Sequence, residues 1–184
     1  MLNTVRAARE RLDRLEAALI EIVPSWTMAP VVAAFQAMRG VQFLTAATMV
    51  AEVGDLRRFD HPRKLMAFLG LVPSERSTGQ TKRQGGITKA GNISARKALV
   101  EAAWTYRHSA GVGVRHHQRQ HALPEQVRSI AWKAQARLCG RYRRLMAKGK
   151  RNTVVIVAIA RELAAFLWAI AHHVEPLPLM AKTA

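Results

Sequence analysis

The adjacent hydroxyls of Ser77 and Thr78 are the groups in this chain best placed by type and spacing to do chemistry. They lie in GLVPSERSTGQTKRQGGITKAGNISARKALVEAAW, residues 70–104, among glycines at 79, 85, 86 and 91 and cations at Arg76, Lys82, Arg83 and Lys89. No acidic residue occurs between Glu75 and Glu101. Hydroxyls, flexible backbone and uncompensated positive charge are what holding a phosphodiester, and attacking it, would require. Taken by itself, a Ser-Thr-Gly loop is most often an ordinary turn.

The whole chain shares this electrostatic character. Its 184 residues carry 29 basic and 12 acidic side chains, a formal charge of +17, which calls for a polyanionic partner. Nucleic acid is the first candidate and an anionic membrane surface the second. The most apolar run, Val154 to Ala171, is interrupted by Arg161-Glu162, so no membrane span is expected. Arg6, Glu10, Arg11 and Asp13 break up any signal-peptide layout. Hydrophobic content of 49% is enough for a packed core. The single cysteine, Cys139, reads as a small packed hydrophobe and points to a reducing compartment. The expected location is cytoplasmic and, with nucleic acid as partner, nucleoid-associated.

The elements that must position these groups read as mainly α. Val5, Leu12, Leu15, Leu19 and Ile22 form an apolar seam on a helix over residues 3–23, suited to pairing with a second copy, with another domain or with its own domain. Pro30 to Met38 predicts a second helix. The tight turn at Arg39-Gly40 before an Ala-rich helix resembles helix-hairpin-helix modules, although Gln42 stands where their second glycine would be. Such a turn holds a DNA phosphate, or is a plain packing unit. Asp60 is expected to cap the next helix, which ends near Gly70. A central basic loop follows, with a short hairpin through Gln84-Gly85-Gly86 as one option. Asn92 or Ser94 caps a helix running to Arg107.

Residues 108–122 read as a basic link in which His116, His117 and His121 are solvated rather than metal ligands. Pro124 opens a long helix to about Ala147. Arg128, Lys133, Arg137, Arg141, Arg143 and Arg144 crowd it, and Lys148, Lys150 and Arg151 continue the charge. No acid lies between Glu125 and Glu162, and this single sign favours phosphate contact over a merely solvated face. Asn152 or Thr153 caps a last helix to about His173. The segments are then 1–29, an N-terminal coiled-coil-like helix; 30–122, a core with the hydroxyl loop; 123–174, a basic helical pair; and 175–184, a tail.

FDHPRKLMAFLGLVPSERSTG, QGGITKAGNISARKALVEAAWTYR, IAWKAQARLCGRYRRLMAKGK and VVIVAIARELAAFLWAI resemble the C-terminal transposase domain of the bridge-RNA-guided insertion-sequence transposases of the IS-one-ten type. RGVQFLTAATMVAEVGD resembles the segment before it. The resemblance implies cutting and rejoining of DNA strands, with DNA and a guide RNA as partners, while the seam on the N-terminal helix leads us to expect a homo-oligomer. It also implies a nucleophilic serine directly before the glycine of a Pro…Ser-Gly motif. Thr78 holds that position here, with Ser77 before it, so Ser77 is the expected nucleophile and Thr78 the alternative. The expected phosphate contacts are Arg39, Gly40, Arg76, Gly79, Lys82, Arg83, Lys89, Arg96, Arg137, Arg141, Arg144, Lys148 and Lys150.

Family members also carry an N-terminal RuvC-like domain with metal-binding acids. The first helix here begins at residue 3, and Glu52, Asp55, Asp60 and Glu75 do not make a ligand set. The expectation is therefore no metal in this chain, with Mg only through a missing RuvC-like domain. The same reasoning implies a truncated, split or decayed transposase that is catalytically crippled alone, or a remnant that binds DNA or RNA without chemistry.

Overall fold

The computed structural model describes residues 2–78 and 81–178. Among these, eight α-helices and one antiparallel strand pair make a mainly α fold. The helices are α1 (Leu2–Ile22), α2 (Ala29–Phe35), α3 (Phe43–Val53), α4 (Pro62–Phe68), α5 (Ile93–Ala103), α6 (Val114–His121), α7 (Glu125–Ala147) and α8 (Asn152–Ala171). The strands β1 (Pro73–Thr78) and β2 (Thr81–Ile87) fall between α4 and α5.

The most apolar helix sits at the centre. α8 packs against α2, α4, α5 and α7, and buries Val155, Ile156, Ile159, Leu163, Leu167 and Ile170 among others. By length and composition α8 could cross a membrane, with a mean hydropathy of 2.1, but half of it is buried inside the fold. The two charges in its middle have partners at the fold's edge. Arg161 Nε lies 3.4 Å from Met66 Sδ, and Glu162 meets two arginines of α7. Leu65, Leu69, Leu71, Leu99, Tyr106, Val127 and Leu138 complete one core, which residues 30–122 and 123–174 share.

α1 diverges from α2 by 119°. Its seam faces solvent: Val5, Leu12, Leu15 and Ile22 are all more than half exposed, and Leu19 is half-buried. The seam read from the sequence exists, therefore, with no partner within the described residues.

Several local expectations are corrected. The residue capping α4 is His61, whose Nδ1 accepts from the Arg63 amide at 3.1 Å, while Asp60 pairs with Lys64. α8 starts at Asn152 with no side-chain cap, and Tyr142 Oη donates to Asn152 Oδ1 at 3.0 Å. The paired glycines do not make the hairpin turn. β1 and β2 are joined at residues 79–80, so Gly79 lies outside the described residues, and Gly85-Gly86 sits within β2. There the register slips, since Pro73 pairs with Ile87 but Glu75 with Gln84, which leaves Ser74 opposite both glycines. A Cβ on Gly85 would come within 2.5 Å of Ser74 Oγ, which itself donates to Gly86 O. A side chain at Gly85 would displace the Ser74 hydroxyl, and the glycine pair thus belongs to a bulge rather than to the turn.

Candidate nucleic-acid interface

The ribbon that carries the hydroxyls rests on a tight backbone crossing. Gly70 (φ +64°) closes α4 in the left-handed conformation, with Leu71 N donating to Met66 O and Gly70 N to Ala67 O. The chain leaving β2 then runs back alongside. Thr88 N donates to Val72 O, Lys89 N to Gly70 O and Asn92 N to Phe68 O. A Cβ on Gly70 would stand 2.0 Å from Ala90 O, and one on Gly91 (φ +101°) 2.0 Å from Phe68 O. Asn92 locks the exit: Oδ1 caps α5 at the Ala95 amide (2.8 Å), and Nδ2 reaches Glu52 of α3 at 2.6 Å. Both ends of the ribbon are thus fixed to the core. In its register Arg76 pairs with Arg83, Ser77 with Lys82 and Thr78 with Thr81. The fold places both expected hydroxyl positions and these expected cation positions in one two-stranded element.

At the foot of the ribbon lies a groove of about 990 Å³. Met66, Leu71, Ile87, Val157 and Ala158 are among the apolar residues lining it, and Arg63, Lys89, Arg141 and Arg161 supply cations. Lys89 is exposed and is the one non-glycine residue with positive φ (57°) among those described. Glu162 is the acid in the lining, one-fifth exposed, and it is already paired. Arg137 donates to both its oxygens at 3.1 and 3.3 Å, and Arg141 Nε lies 3.2 Å from Oε1. The sequence suggests Arg137 and Arg141 as free phosphate contacts; part of their charge is offset by this carboxylate. Arg63 and Arg161 are absent from that expectation, because only packing brings α4 and α8 to the foot of the ribbon.

The remaining basic positions divide. Arg143, Arg144, Lys148, Lys150 and Arg151 are exposed at the C-terminal end of α7 and beyond it. Arg39 and Arg96 bind the protein itself, with Arg39 Nη1 donating to Ser109 O (2.6 Å) and Arg96 Nη1 to Leu69 O (2.9 Å). Gly40 (φ +81°) belongs to a turn packed on the end of α5, where a Cβ would meet Ala102 O at 2.3 Å. That close approach explains its glycine without any ligand. Cys139 is buried, and burial pushes its thiol up while Arg39 and Arg143 oppose the shift. Among the described residues no group of three His, Cys, Asp or Glu side chains could hold a metal.

The histidine-rich link is a helix, α6, and His116 is not solvated. It is buried, with Nε2 donating to Ala37 O at 2.6 Å, and Gln120 Nε2 donates to the same carbonyl at 2.8 Å. Gln135, also buried, holds the preceding loop through Gly111 O. Burial lowers the His116 pKa below its ordinary value of 6.5, the Ala37 bond opposing it only in part. The unfolded chain therefore takes the proton first. Stability contributed by neutral His116 is full above about pH 6.5 and is lost as pH falls from there toward the folded-state pKa. The melting-temperature gap between wild type and His116→Gln should narrow between about pH 7.5 and about pH 5.5. A gap constant with pH would exclude His116 as the titrating group.

A helical core that carries a ribbon with the two hydroxyl positions and a long, strongly basic helix defines the class: a basic, mainly α domain. Residues 32–121 match the family model described as Transposase IS116/IS110/IS902 family. The chain belongs to that transposase family. It is 54% identical over 161 residues to the transposase-named protein y4qE of Sinorhizobium fredii, covering 88% of this chain and 41% of that relative. With the transposase for insertion sequence element IS1111A of Coxiella burnetii it shares 43% over 68 residues, 37% of this chain and 19% of that one. A family 20 transposase of Pseudomonas aeruginosa is 31% identical over 134 residues, 73% of this chain and 33% of its own. The chain therefore spans from about a fifth to two fifths of these relatives.

Proposed function

We propose that this chain is the DNA-engaging, strand-transferring part of an insertion-sequence transposase. Its ribbon presents the nucleophile, and its basic surfaces hold the phosphate backbone. The observation that carries this reading is the meeting of family membership with adjacent hydroxyls on a basic ribbon anchored at both ends. In the proposed step the Ser77 hydroxyl, or that of Thr78, loses its proton and bonds to a backbone phosphorus. The bond from that phosphorus to the departing nucleoside oxygen breaks, and that oxygen takes up a proton. Nearby cations and ribbon amides offset the charge that develops on phosphate. A divalent metal, where the reaction uses one, comes from acids outside this chain.

DNA is the proposed substrate, a guide RNA the second polyanion, and the exposed α1 seam the surface through which copies pair. A cytoplasmic, nucleoid-associated location follows from the same reading.

One observation favours a second reading, a DNA- or RNA-binding remnant without chemistry: no triad of ligand side chains converges among the described residues. Trapping separates the two. The enzyme reading expects a protein–DNA adduct that survives denaturant and disappears in a Ser77→Ala, Thr78→Ala variant. The remnant reading expects none from wild type. Both expect salt-sensitive binding. Reversing Arg143, Arg144 and Lys148 to Glu should weaken it about a hundredfold or more and flatten the salt slope by about one for each phosphate left without its cation. Fluorescence anisotropy across a salt series measures this, and an unchanged slope would remove α7 from the interface.

A further inference from the structure

The solvent face of α7 carries a feature that phosphate binding does not need. Trp132 is 52% exposed. The chain's other tryptophans, Trp26, Trp104 and Trp168, pack against the core, and Trp168 Nε1 is bonded to Phe59 O at 2.7 Å. Leaving an indole in water forgoes a large apolar burial, and its flat apolar faces are open to a partner that can stack on them.

The surroundings say what kind of cover fits. Helical spacing puts Arg128 one turn before Trp132 and Ala136 one turn after it, with Gly140 beyond. Arg128, Lys133 and Ala136 are exposed. The small side chains keep the face low, and a Cβ on Gly140 would meet nothing within 4 Å. A shallow basin of about 500 Å³ continues the face, lined by Gly140, Arg143, Arg144 and Ala147. Arg143 and Arg144 lie about 17 Å along the axis from Trp132. Glu125, two turns before Trp132, is the one acid of this helix. An open aromatic face between cations, over a low floor, matches a strand whose bases are free to stack and whose phosphates need counter-charge. A protein helix laid here would have to bring acids to four cations. A closed duplex offers the ring no unstacked base.

We propose that the solvent face of α7 is a stacking site for an unpaired nucleobase, with Trp132 as the platform and Arg128, Lys133, Arg143 and Arg144 holding the flanking phosphates. The site rests on the nucleic-acid reading above and narrows it to single-stranded DNA.

The test uses a fluorescein-labelled single-stranded DNA oligonucleotide and its blunt duplex, at one salt concentration, with wild type, Trp132→Ala and Trp132→Phe, each first shown to melt like wild type. Loss of one base–indole stack should weaken single-strand binding by about ten- to a hundredfold in Trp132→Ala. Duplex binding should stay within about threefold, and Trp132→Phe should restore most of the loss. Single-strand affinity unchanged in Trp132→Ala, or an equal loss on both probes, overturns the stacking site while leaving the nucleic-acid reading intact. A self-association lost in Trp132→Ala, with single-strand affinity unchanged, assigns the face to a second copy and overturns it too. If wild type binds neither probe, the nucleic-acid reading fails as well.

Discussion

A Ser77→Ala, Thr78→Ala double variant should form no covalent adduct with DNA and still bind it within about twofold of wild type. The adduct requires a nucleophile, and removing one that acts within a catalytic unit costs about 10⁴-fold or more in rate. Affinity is set elsewhere, by several phosphate contacts spread over the ribbon and α7, of which two neutral hydroxyls are a small part. The single variants should not behave alike. Ser77 and Thr78 are consecutive positions of β1, paired with Lys82 and Thr81 in the register. One phosphorus accepts one attacking hydroxyl, so the step runs through one of the two residues. One single variant should match the double and the other should retain the adduct. The measurement is a denaturing gel of labelled insertion-sequence-end DNA after incubation with divalent metal. An adduct that persists in the double variant would place the nucleophile at another residue. A wild type that forms none would leave the chain a binder.

Gly91→Ala should destabilise the fold by about 3–5 kcal/mol and lower the melting temperature by about 6–20 °C. Two effects add. A φ of +101° is strained for any residue with a Cβ, by about 1–3 kcal/mol. The new Cβ would also stand 2.0 Å from Phe68 O, a backbone atom that cannot swing aside. Gly70→Ala meets the reciprocal clash with Ala90 O and should be as severe. Gly54→Ala separates the two effects, because Gly54 has φ +71° but nothing within 4 Å of its would-be Cβ. It should cost about 1–2 kcal/mol. Equal losses at Gly91 and Gly54 in calorimetry or denaturant titration would show that backbone strain, not close approach, requires glycine at the crossing. The functional consequence follows from place. The crossing holds the foot of the ribbon, so its loosening should reduce adduct formation even where the core survives.

Much of the local structure was legible because it depends on neighbours in sequence. The apolar periods of α7 and α8, the stop after α1 at Pro24 and the Asn92 cap are all set within one or two turns of chain. So is the single-sign charge after Glu125. The seam on α1 was equally legible, since Val5, Leu12, Leu15 and Ile22 repeat on one face, but spacing alone does not say what a seam meets. α6 reads as a solvated link because its polar surface hides its anchor. His116 is buried only because Ala37, distant in sequence, offers a carbonyl there.

By itself, then, the sequence determined a mainly α, strongly basic chain with its two hydroxyls close to cations along the chain, because helix period, capping and net charge are local or additive properties. The tertiary structure decided which cations stay available. Glu162 reaches Arg137 and Arg141 where α7 packs on α8, and Arg39 and Arg96 turn to distant carbonyls. It also decided why Gly70 and Gly91 are glycines, through a backbone crossing between residues about twenty positions apart. Long-range packing fixes such pairings, and no spacing within one element encodes them.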